Sequence, residues 1–433
     1  MLPVCAEPIR DGALAIVAGR IAGVGPAAEL RSAFPELAET DLGDVVLMPG
    51  LVDAHCHLEW SLAGGLISPK PFADWLAEML DLARRYRPGD HLIASRYGAL
   101  LAIDAGTTTL ADSGPTGAGV DALTEMGLRG IVFPEIFGRE VGDAALASAD
   151  RLAACVAAIE ARAGERVQVG ISPHALYSVG PELWAVLAAR ADTGSPRPWA
   201  THLAESPTEL AAIDDATGPL AARFAALGIV PGRWPGRGGA VSRVAQTRTL
   251  DAVTVAAHCV HIDAAEADLL AAASVAVAHC PISNERLSCG TAPLSVLERA
   301  GVCVALGTDS PASAGAYDVR AEARACRDVH AVVGEPVSAA ALVSMMTSRG
   351  AAALGLADEV GVLRRGMSAD LLALAPGADG WSTDDPWERA LEEYARPCLV
   401  MCAGEVLQDG SRAGRFDRDA IVALAAEARQ ALC

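Results

Sequence analysis

The chain has 433 residues, 52% of them apolar and 20% charged, with a formal net charge of −20. That length exceeds one minimal core and fits one large domain with an appendage, or two domains. The acidity and the lack of a dense basic stripe exclude affinity for a nucleic-acid backbone, which needs Lys and Arg to neutralise phosphates. No charge-free apolar run reaches the ~18 residues of a spanning segment, so no membrane association is expected. The start, MLPVCAEPIRDG, has neither a basic nor an apolar leader-like region. Eleven cysteines, an odd number without a regular framework, fit the reducing cytoplasm.

In chain order, residues 1–48 read as short strands, with a hairpin signal in ALAIVAGRIAGVG (13–25). Eight apolar strand candidates follow. They are VVLMPGLVDAH, TTTLADS (107–113), RGIVFPEIFG (129–138), VQVGISPHA (167–175), PWATHLAE (198–205), AVTVAAHCV (252–260), SVAVAHCP (274–281) and VCVALGTDS (302–310). Helical patterns lie between them, such as 143–163 and 265–273. Alternating strands and helices imply parallel pairing by right-handed crossovers, and eight units over 49–357 predict a (β/α)8 barrel. A doubly wound open sheet is the alternative. Residues 214–248, rich in Gly, Pro and Arg, read as a long loop and a candidate lid. Strand, turn, strand patterns return at 361–375 and 398–410. Residues 1–48 and 358–410 are thus expected to build one small discontinuous β-sandwich domain, with a helix in 411–433.

A barrel places its chemistry at the carboxyl ends of the strands. Those ends here carry His55 and His57, His174, His202 with Glu205, His258, His279 and Asp309. In a strand, residues i and i+2 face one side, so His55 and His57 point together into the barrel mouth. Two inward imidazoles are either a metal site or a costly polar intrusion, and the company of other strand-end histidines favours the metal. His261 reads as structural, and His91 and His330 as surface residues.

Together PGLVDAHCH, HLAES, AHCVH, HCPISN and GTDS resemble the amidohydrolase superfamily, in its deaminase and chlorohydrolase branch. The resemblance covers nearly the whole chain and implies a metal-dependent hydrolase attacking an amine- or halogen-bearing heterocyclic carbon. It implies one divalent metal, zinc first and iron second, held by His55, His57, His202 and Asp309. Glu205 would then shuttle protons to a ring nitrogen, His258 would orient or deprotonate the water, and Asp309 would take a proton. Many superfamily members hold two metals bridged by a carbamylated lysine at the end of the fourth strand. Here that strand ends in SPHALYS, and the only lysine, Lys70, lies in SPKP. A lysine bridge is unavailable, so a single metal is expected and His174 becomes a substrate contact.

Within the branch, HLEW, SPHALYSV, HLAESPTEL, CPISNERLSCGT and ALGTDSPAS look most like aminodeoxyfutalosine deaminases. This resemblance implies deamination of the adenine of 6-amino-6-deoxyfutalosine, in a route to menaquinone. S-adenosylhomocysteine or methylthioadenosine deamination and triazine- or guanine-type hydrolysis are the alternatives. A barrel that has lost catalysis is a remote one. The substrate is expected to be a small molecule, met by His174, His279, Glu59, Trp75 and Arg139, with Arg286 a further cation for its benzoate. Relatives of this branch commonly pair, so a homodimer is an expectation.

Overall fold

The computed structural model describes residues 1–433 apart from 192–196, 227–233, 411 and 414. Strands β1 (Gly12–Val17) and β2 (Arg20–Pro26) form an antiparallel hairpin. It turns through Ala18 and Gly19, whose φ values of 50° and 76° suit the tight turn that right-handed strand twist prefers. Strand β3 (Val46–Pro49) follows. Then come β4 (Leu51–Cys56), β5 (Thr107–Gly114), β6 (Arg129–Ile136), β7 (Val167–Val169), β8 (Ser172–Pro173) and β9 (Ala200–Leu203). They are followed by β10 (Val255–His258), β11 (Ala276–His279) and β12 (Val304–Leu306). Finally β13 (Leu371–Ala375), β14 (Arg396–Cys402), β15 (Glu405–Asp409) and β16 (Arg412–Ala413) join β3 in an antiparallel sheet ordered β16-β15-β14-β13-β3.

Parallel runs β4-β5-β6-β7 and β9-β10-β11-β12 form the two halves of the barrel. Bridges Ile171 to Trp199 and Ala175 to His202 join them on one side, and Cys56 to Asp309 joins them on the other. The result is the expected closed (β/α)8 barrel. Its interior is filled: Ala54, Ala111, Ala200, Ala278 and Ala305 cluster around Phe133. Alanine suits these positions because strands buried on both faces leave little room for larger side chains around one aromatic ring.

The second seam is heavily bonded. The Asp309 amide donates to the His55 carbonyl at 2.9 Å, and the His57 amide donates to the Asp309 carbonyl at 3.0 Å. Below them the Asp53 carboxylate accepts from the Thr308 amide (3.0 Å) and hydroxyl (2.5 Å). Closure of the first strand on the last therefore sets the residues of the candidate site.

The expected single strand VVLMPGLVDAH is two strands, divided at Pro49-Gly50, where the chain leaves the antiparallel sheet for the barrel. A Cβ on Gly50 would lie 2.2 Å from the Thr108 hydroxyl, so only glycine lets β5 lie against that bend. Other expectations are corrected. Residues Ala27–Ala33 are helical. Within 361–375 only Leu371–Ala375 is a strand, because the chain turns through Gly366 (φ 91°) and is tied by side-chain bonds of Ser368 and Asp370. Beyond 410 the sheet gains Arg412–Ala413 before the helix Arg418–Gln430.

The segment 214–248 is not a free loop: helices Gly218–Ala226 and Ala240–Gln246 occupy much of it, and residues 227–233 lie outside the described residues. Its alanine-rich PLAARFAA favours helix. Trp234 pins the segment by donating its indole N–H to the carbonyls of Leu176 (2.8 Å) and Val179 (3.2 Å).

The antiparallel sheet is locked to the barrel by a buried ion pair. Arg129 at the start of β6 donates Nε to Asp370 (3.0 Å) and Nη2 to the Ser368 hydroxyl (2.9 Å). The Asp370 carboxylate also accepts the Ala403 amide at 2.8 Å. Asp370→Ala leaves the guanidinium buried without its counter-charge, and should lower the unfolding free energy by about 3–5 kcal/mol. Denaturant melts check this, and a loss below about 1 kcal/mol would show the pair to be dispensable.

Candidate active site

Four buried imidazoles converge at the carboxyl ends of the strands. The ring of His55 lies 4.7 Å from that of His57, 4.8 Å from His202 and 5.6 Å from His258. His57 Nε2 approaches His202 Nε2 to 3.1 Å, and Asp309 Oδ1 lies 3.3 Å from His57 Nε2 and 3.8 Å from His55 Nε2.

The opposite ring nitrogens fix these orientations. His57 Nδ1 donates to the Ser113 carbonyl (2.8 Å), His202 Nδ1 to the His174 carbonyl (2.9 Å), and His258 Nδ1 to the Asn284 side-chain oxygen (2.9 Å). These acceptors carry no proton, so each Nδ1 bears the hydrogen and each neutral ring turns a lone pair inward through Nε2. Burial lowers all four pKa values, those of His202 and His258 to about 4, so the rings are neutral at pH 7.

Asp309 completes the set. Its Oδ2 accepts hydroxyls from Ser283 (2.6 Å) and Ser313 (2.7 Å), leaving Oδ1 toward the histidines. Burial works against its charge, but His57, His258 and the two hydroxyls outweigh that and hold it below the usual carboxylate range. Asp309 and His258 both sit at positive φ (56° and 71°), conformations costing about 1–3 kcal/mol each that persist only where surroundings enforce them.

The donor set fits a metal. Ligand-capable atoms of His55, His202, His258 and Asp309 lie within 4.8 Å of one another, and His55 Nε2 has no hydrogen-bond partner among the described residues. Two Nε2 lone pairs 3.1 Å apart repel unless a cation stands between them. Imidazoles with one carboxylate suit zinc or iron.

Glu205 is buried beside this cluster, with Oε1 3.7 Å from His258 Nε2. Burial first, then Asp309 and Glu209, push its pKa well above the carboxylate range, which favours its protonated form.

The mouth is aromatic. His174 donates or accepts through Nδ1 with the Ser178 hydroxyl (2.8 Å), and its ring lies 4.7 Å from Phe137, which is 48% exposed. Tyr177 touches His174, Phe72 and Phe224. Arg139 lies over the Phe224 ring at 5.6 Å, and its Nε and one Nη are buried without a hydrogen-bond partner among the described residues. Trp75 stacks on Phe72 at 6.3 Å and donates its indole N–H to the Ala312 carbonyl at 3.1 Å, bracing the loop after β12.

Two sequence-predicted contacts, Glu59 and His279, are corrected. Glu59 is fully buried and saturated: it accepts from the Thr116 amide and hydroxyl and the Ala118 amide, and faces His91 at 3.2 Å. It ties the loop after β5 from a fully buried position. His279 turns its ring away from the mouth toward buried His330, 5.6 Å away, so neither His330 nor half-buried His91 is a surface residue. Arg286 spends Nε on the Ser313 carbonyl (2.6 Å).

Other residues were missed. Ser283 and Asn284 stood in HCPISN, but only the fold shows them bonded to Asp309 and His258. Tyr317 donates to the His57 carbonyl at 2.7 Å. Glu135, buried on β6, lies 4.0 Å from His57 Nδ1 with Oε1 unpartnered. A lone carboxylate within the apolar RGIVFPEIFG was its only signal.

Comparison with known proteins bears on this site. The Amidohydrolase family profile matches residues 46–407, and an imidazolonepropionase-like bacterial composite domain matches 12–36. A 5-methylthioadenosine/S-adenosylhomocysteine deaminase of Pelotomaculum thermopropionicum is 33% identical over 371 residues, covering 84% of this chain and 80% of its own. The crystal structure of a zinc-bound adenosine deaminase from Xanthomonas campestris superposes with a TM-score of 0.85, at 25% identity over 99% of this chain and 96% of that one. An aminofutalosine deaminase of Helicobacter pylori, in complex with methylthio-coformycin, shares the fold with a TM-score of 0.77. It is 20% identical over 93% of this chain and 96% of its own. The chain thus belongs to the amidohydrolase family and is an enzyme of its metal-dependent hydrolase type.

Proposed function

We propose that this chain is a hydrolytic deaminase of an adenine-type nucleoside, with His55, His57, His202 and Asp309 holding one divalent metal. The observation that carries this reading is the cluster of inward imidazole nitrogens around Asp309, with the buried Glu205 carboxyl 3.7 Å from His258 Nε2. Zinc bound by such a set lowers the pKa of a water to about 7, and iron accepts the same ligands. Glu205 delivers its proton to the ring nitrogen beside the amino-bearing carbon, which makes that carbon electrophilic. His258 Nε2, neutral and 3.7 Å from Glu205, orients the attacking water. The ionised Asp309 accepts one proton of that water and passes it to the amino group, which leaves as ammonia, while the remaining hydroxyl proton restores Glu205. The eleven unpaired cysteines fit the same reaction in a reducing cytoplasm.

The distal part of the substrate meets the aromatic mouth. An unpartnered, half-buried guanidinium at Arg139 calls for an anion, since burial already disfavours its charge. Among adenine nucleosides this supports one whose 5′ substituent ends in a carboxylate. Aminodeoxyfutalosine fits both features, because its benzoate can stack on Phe137 and pair with Arg139. The second reading, S-adenosylhomocysteine or methylthioadenosine, is supported by the relative from Pelotomaculum thermopropionicum.

Glu205→Gln should retain metal while lowering kcat by about 10²–10⁴-fold, in ammonia-release assays with parallel elemental analysis. Substantial turnover would remove Glu205 from the proton path. His202→Ala should remove about one equivalent of metal per chain together with activity, whereas loss of two would mean a paired metal centre. Arg139→Ala should raise KM for the carboxylate-bearing substrate about 10–100-fold, the value of a charged hydrogen bond, and leave adenosine turnover unchanged. A panel of aminodeoxyfutalosine, S-adenosylhomocysteine, methylthioadenosine and adenosine separates the readings. Preference for methylthioadenosine, which bears no carboxylate, would overturn the role given to Arg139.

A further inference from the structure

The other face of β11 holds a second cluster of ligand-type side chains. His279 ends β11, while Cys326 and His330 stand four residues apart on the helix Val319–Val332, so one helix face presents both. All three are buried, and their ligand-capable atoms lie within 4.8 Å of one another. Neither ring nitrogen of His279, nor either of His330, has a hydrogen-bond partner among the described residues. Four orphaned ring nitrogens are unusual in a folded interior, where buried polar groups are nearly always satisfied.

We propose that His279, Cys326 and His330 form a second, structural site for a divalent transition metal, zinc by its ligand chemistry. A thiolate and two imidazoles are a common zinc set, with a fourth position open to water. The Glu335 carboxylate, 3.9 Å from His330 Nδ1, adds negative charge beside that ring. Burial, followed by His330 and His258, pushes the His279 pKa down to about 3, so the ring is neutral and can donate a lone pair. Burial raises the Cys326 thiol to about 12 without metal, so binding releases its proton.

The site braces the active site without entering it. Four and five residues after His279, Ser283 and Asn284 hold Asp309 and His258. A metal that ties the end of β11 to the helix Val319–Val332 therefore fixes the segment on which both contacts depend.

Cobalt(II) loading of the full chain tests this, because a thiolate ligand gives a near-ultraviolet charge-transfer band and the catalytic set contains no sulfur. The band should appear in the wild type and in His202→Ala, and vanish in Cys326→Ser. Zinc content should fall from about two to about one per chain in Cys326→Ser and in His330→Ala. Absence of the band in the wild type, with about one metal per chain, would overturn the proposal without recourse to any variant. Persistence of the band in Cys326→Ser would overturn it as well.

Discussion

The pair of backbone hydrogen bonds that close β4 onto β12 is the constraint on which the site depends. His55 and His57 flank the bond pair on one strand, and Asp309 makes both bonds from the other. Barrel closure and assembly of the histidine and aspartate cluster are therefore one event. Gly307 belongs to the same seam: a Cβ there would lie 2.9 Å from both the Cβ and the carbonyl of His55. Asp53, bonded to Thr308, staples the strands one layer deeper. Distortion of this seam would spoil the site before it unfolded the barrel, since the groups it places need sub-ångström accuracy to act together.

Around that seam the protein spends buried polarity on orientation. Backbone carbonyls and one amide choose the tautomers of His57, His202 and His258, and two serine hydroxyls choose which Asp309 oxygen faces inward. Burial does the rest. It lowers the imidazole pKa values and raises that of Glu205, while the neighbouring imidazole rings and two hydroxyl bonds hold Asp309 below the usual carboxylate range. Two neighbouring carboxyl groups whose surroundings push their pKa values in opposite directions are what an acid–base site needs. The positive φ values of His258 and Asp309 show that backbone strain is tolerated at the same place.

Much of this was legible beforehand because it rests on local pattern. Short apolar runs alternating with alanine-rich helices specify parallel pairing, and the carboxyl ends of the strands are where a barrel gathers its polar groups. What misled was residue type without contact. Glu59 beside His57 reads as a substrate group, yet its carboxylate is consumed by Thr116, Ala118 and His91. His279 follows the strand-end rule but faces outward, since alternation on a four-residue strand leaves either face open and its neighbour His330 is distant in sequence. The Gly- and Pro-rich composition of 214–248 hid two helices whose packing is decided by Phe224 and Trp234.

Taken alone, the sequence determined the barrel, the sheet contributed by both ends, the absence of a lysine bridge, and which residue types stand at the strand ends. These follow from periodicity and composition, which act over a few neighbouring residues. Tertiary structure alone decided which way each strand-end side chain turns, and which are already satisfied by partners 50 or more residues away, as His57 is by Ser113. It also decided that Arg139 at the mouth has no hydrogen-bond partner for its buried nitrogens among the described residues, and that His279, Cys326 and His330 share one pocket. Those outcomes depend on contacts between distant segments, and no local pattern encodes them. PGLVDAHCH thus announces a site, and the closing seam with Asp309 builds it.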